Sequence, residues 1–182
     1  MNPPSSANQG ELKSIAQRAM SQRGLLPDFS PAVLAEVNAI STAATEPDAS
    51  IRDLRHLPWC SLDNDDSQDL DQLTTAELGP DSSVKIFVAI ADVDALVRIK
   101  SAIDDHAQVN TTSVYTAAGI FPMLPEKLST DLTSLDEGQE RLAIVVEARI
   151  AADGALKESD VYRARVLNRA KLAYDSVAAW LD

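Results

Sequence analysis

Residues 61–73, SLDNDDSQDLDQL, hold five aspartates, Asp63, Asp65, Asp66, Asp69 and Asp71, within nine positions. Carboxylate oxygens at that density suit a hard divalent cation. Mg2+ prefers oxygen ligands and commonly binds through one or two carboxylates, with waters and a substrate phosphate filling the remaining positions. Such ions support phosphodiester hydrolysis, which needs an in-line water, charge stabilisation on the phosphoryl oxygens and help for the departing oxygen. The same residues also read as a solvated acidic turn. A third reading is a calcium loop of the EF-hand type, because Asp63, Asp65, Ser67, Asp69 and Asp71 alternate. That pattern fails twice: Gln68 stands where the loop needs glycine, and Thr74 stands where the bidentate glutamate belongs.

Rival chemistries are scarce. The chain has no Gly-rich phosphate loop, and neither His56 nor His106 sits in a nucleophile motif. Both histidines are expected at the surface or at an interface. Cys60 is the one cysteine, so no internal disulfide can form and a Cys/His zinc site is disfavoured; a buried, small apolar role is expected for it. The net charge of −12 argues against a broad basic face for gripping nucleic acid. A carboxylate-rich metal centre is less constrained, since bound cations cancel local charge and bridge to phosphate. No apolar run reaches the roughly 20 residues of a membrane span, and the polar start lacks the order of a secretory signal. A soluble, cytoplasmic protein with no membrane partner is expected.

The elements that must position the aspartates can be placed by periodicity. Residues 1–10, polar and rich in Pro and Ser, read as a disordered tail. Residues 11–50 read as a helical region with a linker. Its first helix covers residues 11–23 and stops at Gly24; its second has Ser30 at the cap and Pro31 in the first turn, with Val33, Leu34, Val37 and Ile40 as an apolar stripe. These stripes favour packing on the rest of the protein.

From Leu57 the texture becomes strand-like: PWCSLD, QLTTAEL and VKIFVAIADV, with GPDSS as a hairpin turn between the last two. The run at 84–93 suits a central strand buried on both faces. A helical piece at 99–108, an irregular segment at 110–126 and a short helix at 126–135 follow. The strand RLAIVVEARIA meets the turn Asp153-Gly154, DVYRARVLNR alternates its side chains, and AKLAYDSVAAWLD reads as a helix. The order predicts an α+β fold.

The segment LDNDDSQDLDQL resembles the acidic signature of the ribonuclease II (RNB-domain) family, in which aspartates follow the first at six, eight and nine positions. Asp63, Asp69 and Asp71 match. VKIFVAIADVDALV is similar to the family strand ending in an Ala-Asp pair, TSVYTAAGIFPMLPEKLSTDLTSL resembles its Thr-Ser-Val-Tyr and Pro-Met-Leu-Pro blocks, and AKLAYDSVAAWL resembles its Ala-Lys-Leu-Xaa-Tyr segment. The resemblance implies that residues 51–182 form the N-terminal part of a mixed-sheet RNB-type catalytic domain acting as a metal-dependent 3′→5′ exoribonuclease on single-stranded RNA. It further implies that Asp63, Asp69, Asp71 and the residue at position 72 hold Mg2+, with Mn2+ a substitute, and that Asp71 and Asp69 are catalytic. Tyr115 matches the tyrosine that stacks on the terminal nucleotides, against the alternative of a core tyrosine.

Two departures follow. Gln72 stands where the family usually has aspartate, and an amide oxygen can ligate Mg2+ but brings no negative charge. The family's phosphate-gripping arginines and activating glutamate would fall beyond residue 182, so the remainder of the RNB domain or a partner chain is expected to supply them. Within the chain, Lys157, Arg163, Arg165, Arg169 and Lys171 form the locally basic stretch. Arg163 and Arg165 share one strand face, opposite Tyr162, Ala164 and Val166, as an RNA-contacting pair or as a solvated face. The alternative function is a noncatalytic RNA-binding or regulatory protein on the same scaffold.

Overall fold

The computed structural model describes residues 6–45, 48–79 and 81–182, with side chains from residue 10 onward. Its elements fall into two compact units, one from Met1–Ser41 with Val97–Glu126, the other from Thr42–Leu96 with Lys127–Asp182.

The first unit contains helices α1 (Ser6–Gln22), α2 (Pro31–Ala39) and α3 (Ala102–Asn110) and a hairpin of β5 (Val114–Thr116) and β6 (Gly119–Phe121). Helix α1 starts at Ser6, so part of the expected disordered tail is helical; residues 1–5 lie outside the described residues. Gly24 at φ +78° ends that helical segment, letting the Leu25 amide reach back to the Met20 carbonyl at 3.0 Å. The Ser30 side chain accepts from the Val33 amide and Pro31 opens α2, as the sequence predicted.

Helices α2 and α3 are joined through a carboxylate. Glu36 accepts from the Ala102 and Ile103 amides at 2.9 and 3.0 Å, meeting donors that a helix start leaves open. These backbone bonds hold Glu36 below the usual glutamate range. Asn110 is buried and pairs with the Leu26 backbone in both directions, at 2.8 and 2.9 Å. His106 is buried, not at the surface: its ring lies 4.5 Å from that of Phe29 and 3.1 Å from the Asn110 amide, and burial lowers its pKa. The β5–β6 hairpin replaces part of the irregular segment expected at 110–126. The Thr116 hydroxyl donates to the Gly119 carbonyl across its turn, a local bond that hydrophobic periodicity does not reveal.

The second unit is built on a mixed seven-stranded sheet in the order β1-β8-β7-β4-β3-β2-β9. The strands are β1 (Arg52–Asp53), β2 (Cys60–Asp63), β3 (Gln72–Leu78), β4 (Val84–Ala91), β7 (Glu140–Ile150), β8 (Leu156–Leu167) and β9 (Ala170–Ala173), followed by helix α4 (Tyr174–Leu181). The α+β class and the mixed sheet match the sequence expectation. One sheet face carries the core, with Trp59, Leu73, Phe87, Ala89, Val145, Ala164 and Val166 all buried. Each large apolar side chain buried there contributes roughly 1.5–3 kcal/mol.

Four expectations are corrected or refined in this unit. Strand β4 is covered on one face only: Phe87 and Ala89 are buried, whereas Ile86 and Ile90 on the other face are each 39% exposed. Residues 170–173 are a strand and not the start of a helix, because parallel pairing of Ser61 with Lys171 and of Asp63 with Ala173 overrides the helical propensity of AKLA. Cys60 is half-buried on β2, its thiol donating to the Thr74 carbonyl at 3.6 Å. The expected helix near 126–135 is a π-helix at Leu128–Leu132, closed by the Thr133 amide and hydroxyl on the Leu128 carbonyl.

Candidate functional site

The acidic segment connects β2 to β3. Asp63 is the last residue of β2 and half-buried; Asp65, Asp66, Asp69 and Asp71 are exposed; Gln72 is the exposed first residue of β3. A loop between two strands is not the helix–loop–helix of a calcium-binding hand, which removes that reading.

Several bonds fix the loop. The Ser67 amide donates to the Asn64 carbonyl at 3.1 Å, closing a turn, and the Lys171 ammonium donates to the Asp65 and Ser67 carbonyls at 3.1 and 2.6 Å. Leu70 is buried between Asp69 and Asp71 and anchors the second half of the loop in the core. Its amide donates to the Ser134 hydroxyl at 3.2 Å and its carbonyl accepts from the Leu135 amide at 2.8 Å. The Asp71 carbonyl accepts from the Ala91 amide at 2.9 Å, tying the motif to the end of β4. On the β2 side, the buried Asn168 amide donates to the Ser61 hydroxyl at 3.2 Å and to the Leu135 carbonyl at 2.8 Å.

Asp69 is near enough to Asp71 and Asp63 to feel their charge. Partial desolvation of its carboxyl group, then the charge of Asp71, then that of Asp63, push Asp69 above the usual aspartate range. Among the described residues, no three Asp, Glu, His or Cys side chains already stand in a metal-holding arrangement. The donor chemistry nevertheless fits a hard divalent cation: three carboxylates lie on one short connection, Asp69 within reach of the charge of the other two, and two of them are on exposed side chains whose rotamers packing does not fix.

The other predicted site residues are placed as follows. Tyr115 lies on β5 in the first unit and is 73% exposed, so it is not a core tyrosine. Arg163 and Arg165 do project from the face of β8 opposite the buried Ala164 and Val166. Arg163 is committed to carboxylates, with Nε 2.8 Å from Asp92 Oδ2 and Nη2 2.7 Å from Asp94 Oδ2. Arg165 is half-buried beside Thr45, Arg141 and Leu142. Arg169 donates to the Arg55 carbonyl at 2.6 Å, and Lys171 serves the acidic loop, so the basic stretch is divided among structural tasks. Sequence reasoning missed Ser134 and Asn168, and named Lys171 only within the basic stretch, not as a support of the acidic loop. The first two are small polar residues whose only signal is burial, which periodicity does not report.

A family profile described as the RNB domain matches residues 51–182. The chain is 36% identical over 146 residues to Exoribonuclease 2 of Enterobacter sp., covering 80% of this chain and 23% of that protein. It is 34% identical over 156 residues to Ribonuclease R of Thermotoga maritima, covering 85% of this chain and 22% of that one. Among solved structures, Mycoplasma genitalium RNase R in complex with ribose-methylated single-stranded RNA matches with a TM-score of 0.83 at 30% identity, over 93% of this chain and 27% of that chain. The chain thus spans about a quarter of the length of each of these relatives. Exoribonucleases of this kind are generally dependent on divalent metal. No helix among the described residues is long and apolar enough to cross a membrane.

Proposed function

The chain belongs to the RNB domain family, and on that premise we propose that it carries the metal site of a 3′→5′ exoribonuclease that hydrolyses single-stranded RNA to nucleoside monophosphates. The observation that carries this reading is the placement of Asp63, Asp69 and Asp71 along one short β2–β3 connection, within a sheet like that of an RNase R. Mg2+, with Mn2+ able to replace it, is the proposed cation, held by Asp63, Asp69, Asp71 and the Gln72 amide oxygen. When bound, the cation supplies a polarised water and charge stabilisation on the phosphoryl group. Asp71 and Asp69 are the catalytic candidates, orienting the attacking water and taking up its proton.

Tyr115 is assigned to stacking on a terminal base. An exposed aromatic ring suits that task, and stacking tolerates any base, as a sequence-indifferent nuclease requires. Arg165 remains a candidate phosphate contact. Arg163 was the other sequence candidate, but its ion pairs with Asp92 and Asp94 already offset its charge, so we assign it to structure instead. The arginines and glutamate that complete the family's site are proposed to come from the remainder of an RNB domain or from a partner chain. The cytoplasm is the proposed compartment, in keeping with a chain whose one thiol has no disulfide partner within it.

Gln72 favours a second reading, a noncatalytic RNA-binding or regulatory protein, because it removes one negative charge from the family's metal site. Incubation of this chain, supplied with the rest of an RNB domain, with uniformly labelled single-stranded RNA and Mg2+ separates the two. Mononucleotide release that Asp71→Asn abolishes, with the fold retained, supports the exoribonuclease. RNA binding with no Mg2+-dependent shortening supports the second reading.

A further inference from the structure

We infer that Ser134 is the positioning residue that sets the backbone on both sides of Asp69, and through it the placement of Asp69 and Asp71. The inference rests on the metal-site reading of those aspartates only for its consequence, not for its geometry. Ser134 is 1% exposed, and its hydroxyl sits among three polar partners. It accepts from the Leu70 amide at 3.2 Å, donates to Asp136 Oδ1 at 2.8 Å, and lies 3.2 Å from the Gln68 carbonyl. A hydroxyl has one proton, here shared between the Asp136 carboxylate and the Gln68 carbonyl, which leaves a lone pair aimed at the Leu70 amide. Gln68 and Leu70 are the residues immediately before and after Asp69. One buried oxygen therefore touches the chain on either side of an exposed carboxylate.

The surrounding structure keeps this oxygen in place. The π-helix at Leu128–Leu132 inserts an extra residue in its turn, and Thr133 closes it by bonding the Leu128 carbonyl through both amide and hydroxyl. The next residue is Ser134. After it, the Leu135 amide bonds the Leu70 carbonyl, and the Leu135 carbonyl accepts from Asn168, which also holds Ser61 on the strand ending at Asp63. The path from Asp63 to Asp69 thus runs through buried, mutually bonded polar groups, whose removal is costly because water cannot replace them.

The test uses the full chain with Ser134→Ala and the near-isosteric Ser134→Cys, which weakens the hydrogen bonds while filling the site. Amide hydrogen exchange and Mn2+ binding, followed by the electron paramagnetic resonance of the free ion, are read for each. We expect the Leu70 amide to exchange about tenfold faster in Ser134→Ala while the Val145 amide is unmoved. We also expect Mn2+ affinity to fall about tenfold, with Ser134→Cys intermediate in both. Unchanged exchange at Leu70 would overturn the inference, as would faster exchange with Mn2+ affinity intact, which would make the serine merely structural. Absence of Mn2+ binding by the unsubstituted chain counts against the metal-site reading itself; the Leu70 exchange rate then still decides whether Ser134 holds the loop.

Discussion

Nε of Arg163 lies 2.8 Å from Oδ2 of Asp92, a carboxylate whose side chain is fully buried at the end of β4. The contact is an ion pair that leaves Oδ2 without a hydrogen bond among the described residues. The pair joins β8 to the point where the Ala91 amide holds the Asp71 carbonyl. Removing the arginine strands a buried charge. Arg163→Ala is expected to lower unfolding stability by about 3 kcal/mol, near the low end for a broken buried pair because the arginine is itself 34% exposed. Adding Asp92→Asn should recover part of that loss, and chemical denaturation of the two variants checks it.

The acidic motif should make stability depend on pH in a sense opposite to most carboxylates. Asp69 has a pKa raised in the folded state, so its favourable contribution is fully present below its unfolded pKa and is lost as pH rises through the folded one. Asp81 behaves the other way: the Ser83 hydroxyl, first among its hydrogen bonds, holds it down at about 2, so its contribution is lost as pH falls through that value. Asp69→Asn is therefore expected to stabilise the metal-free chain at neutral pH by under about 1 kcal/mol, and to have no such effect at pH values below the usual aspartate range. Thermal melts at the two pH values decide it.

Tyr115 tests the assignment of the hairpin. Its ring is largely solvent-exposed, so Tyr115→Ala should leave thermal stability nearly unchanged. Binding of a short single-stranded RNA, measured by fluorescence anisotropy, should weaken by about 1–3 kcal/mol, and Tyr115→Phe should restore it because stacking uses the ring face. A stability loss without an affinity loss would move Tyr115 from substrate binding to packing.

Much of this arrangement could be read in the residues. The cap at Ser30, the stop at Gly24 and the turn at Gly154 are chemical instructions confined to a few neighbours, and each appears where its chemistry places it. The alternation on β8 predicted the opposed faces of Arg163 and Ala164. The failures share one cause, the dependence of a local preference on a distant partner. AKLA prefers a helix in isolation, but becomes β9 because β2 offers a parallel edge. The run at 84–93 is apolar enough to be covered twice, yet burial on one face leaves Ile86 and Ile90 exposed. At the site, the aspartates declare themselves through charge, whereas Ser134 and Asn168 matter through burial and bonding to Leu70, Leu135 and Ser61, which sequence spacing does not carry.

The central claim is that Asp63, Asp69 and Asp71 act together on one divalent centre. Titration of the full chain with Mn2+, reading the free ion by electron paramagnetic resonance, tests it most directly. Specific binding is predicted, with each of Asp63→Asn, Asp69→Asn and Asp71→Asn weakening it about tenfold or more and Gln72→Asp strengthening it by restoring a charged ligand. No binding by the unsubstituted chain, or binding indifferent to all three aspartates, would contradict the account.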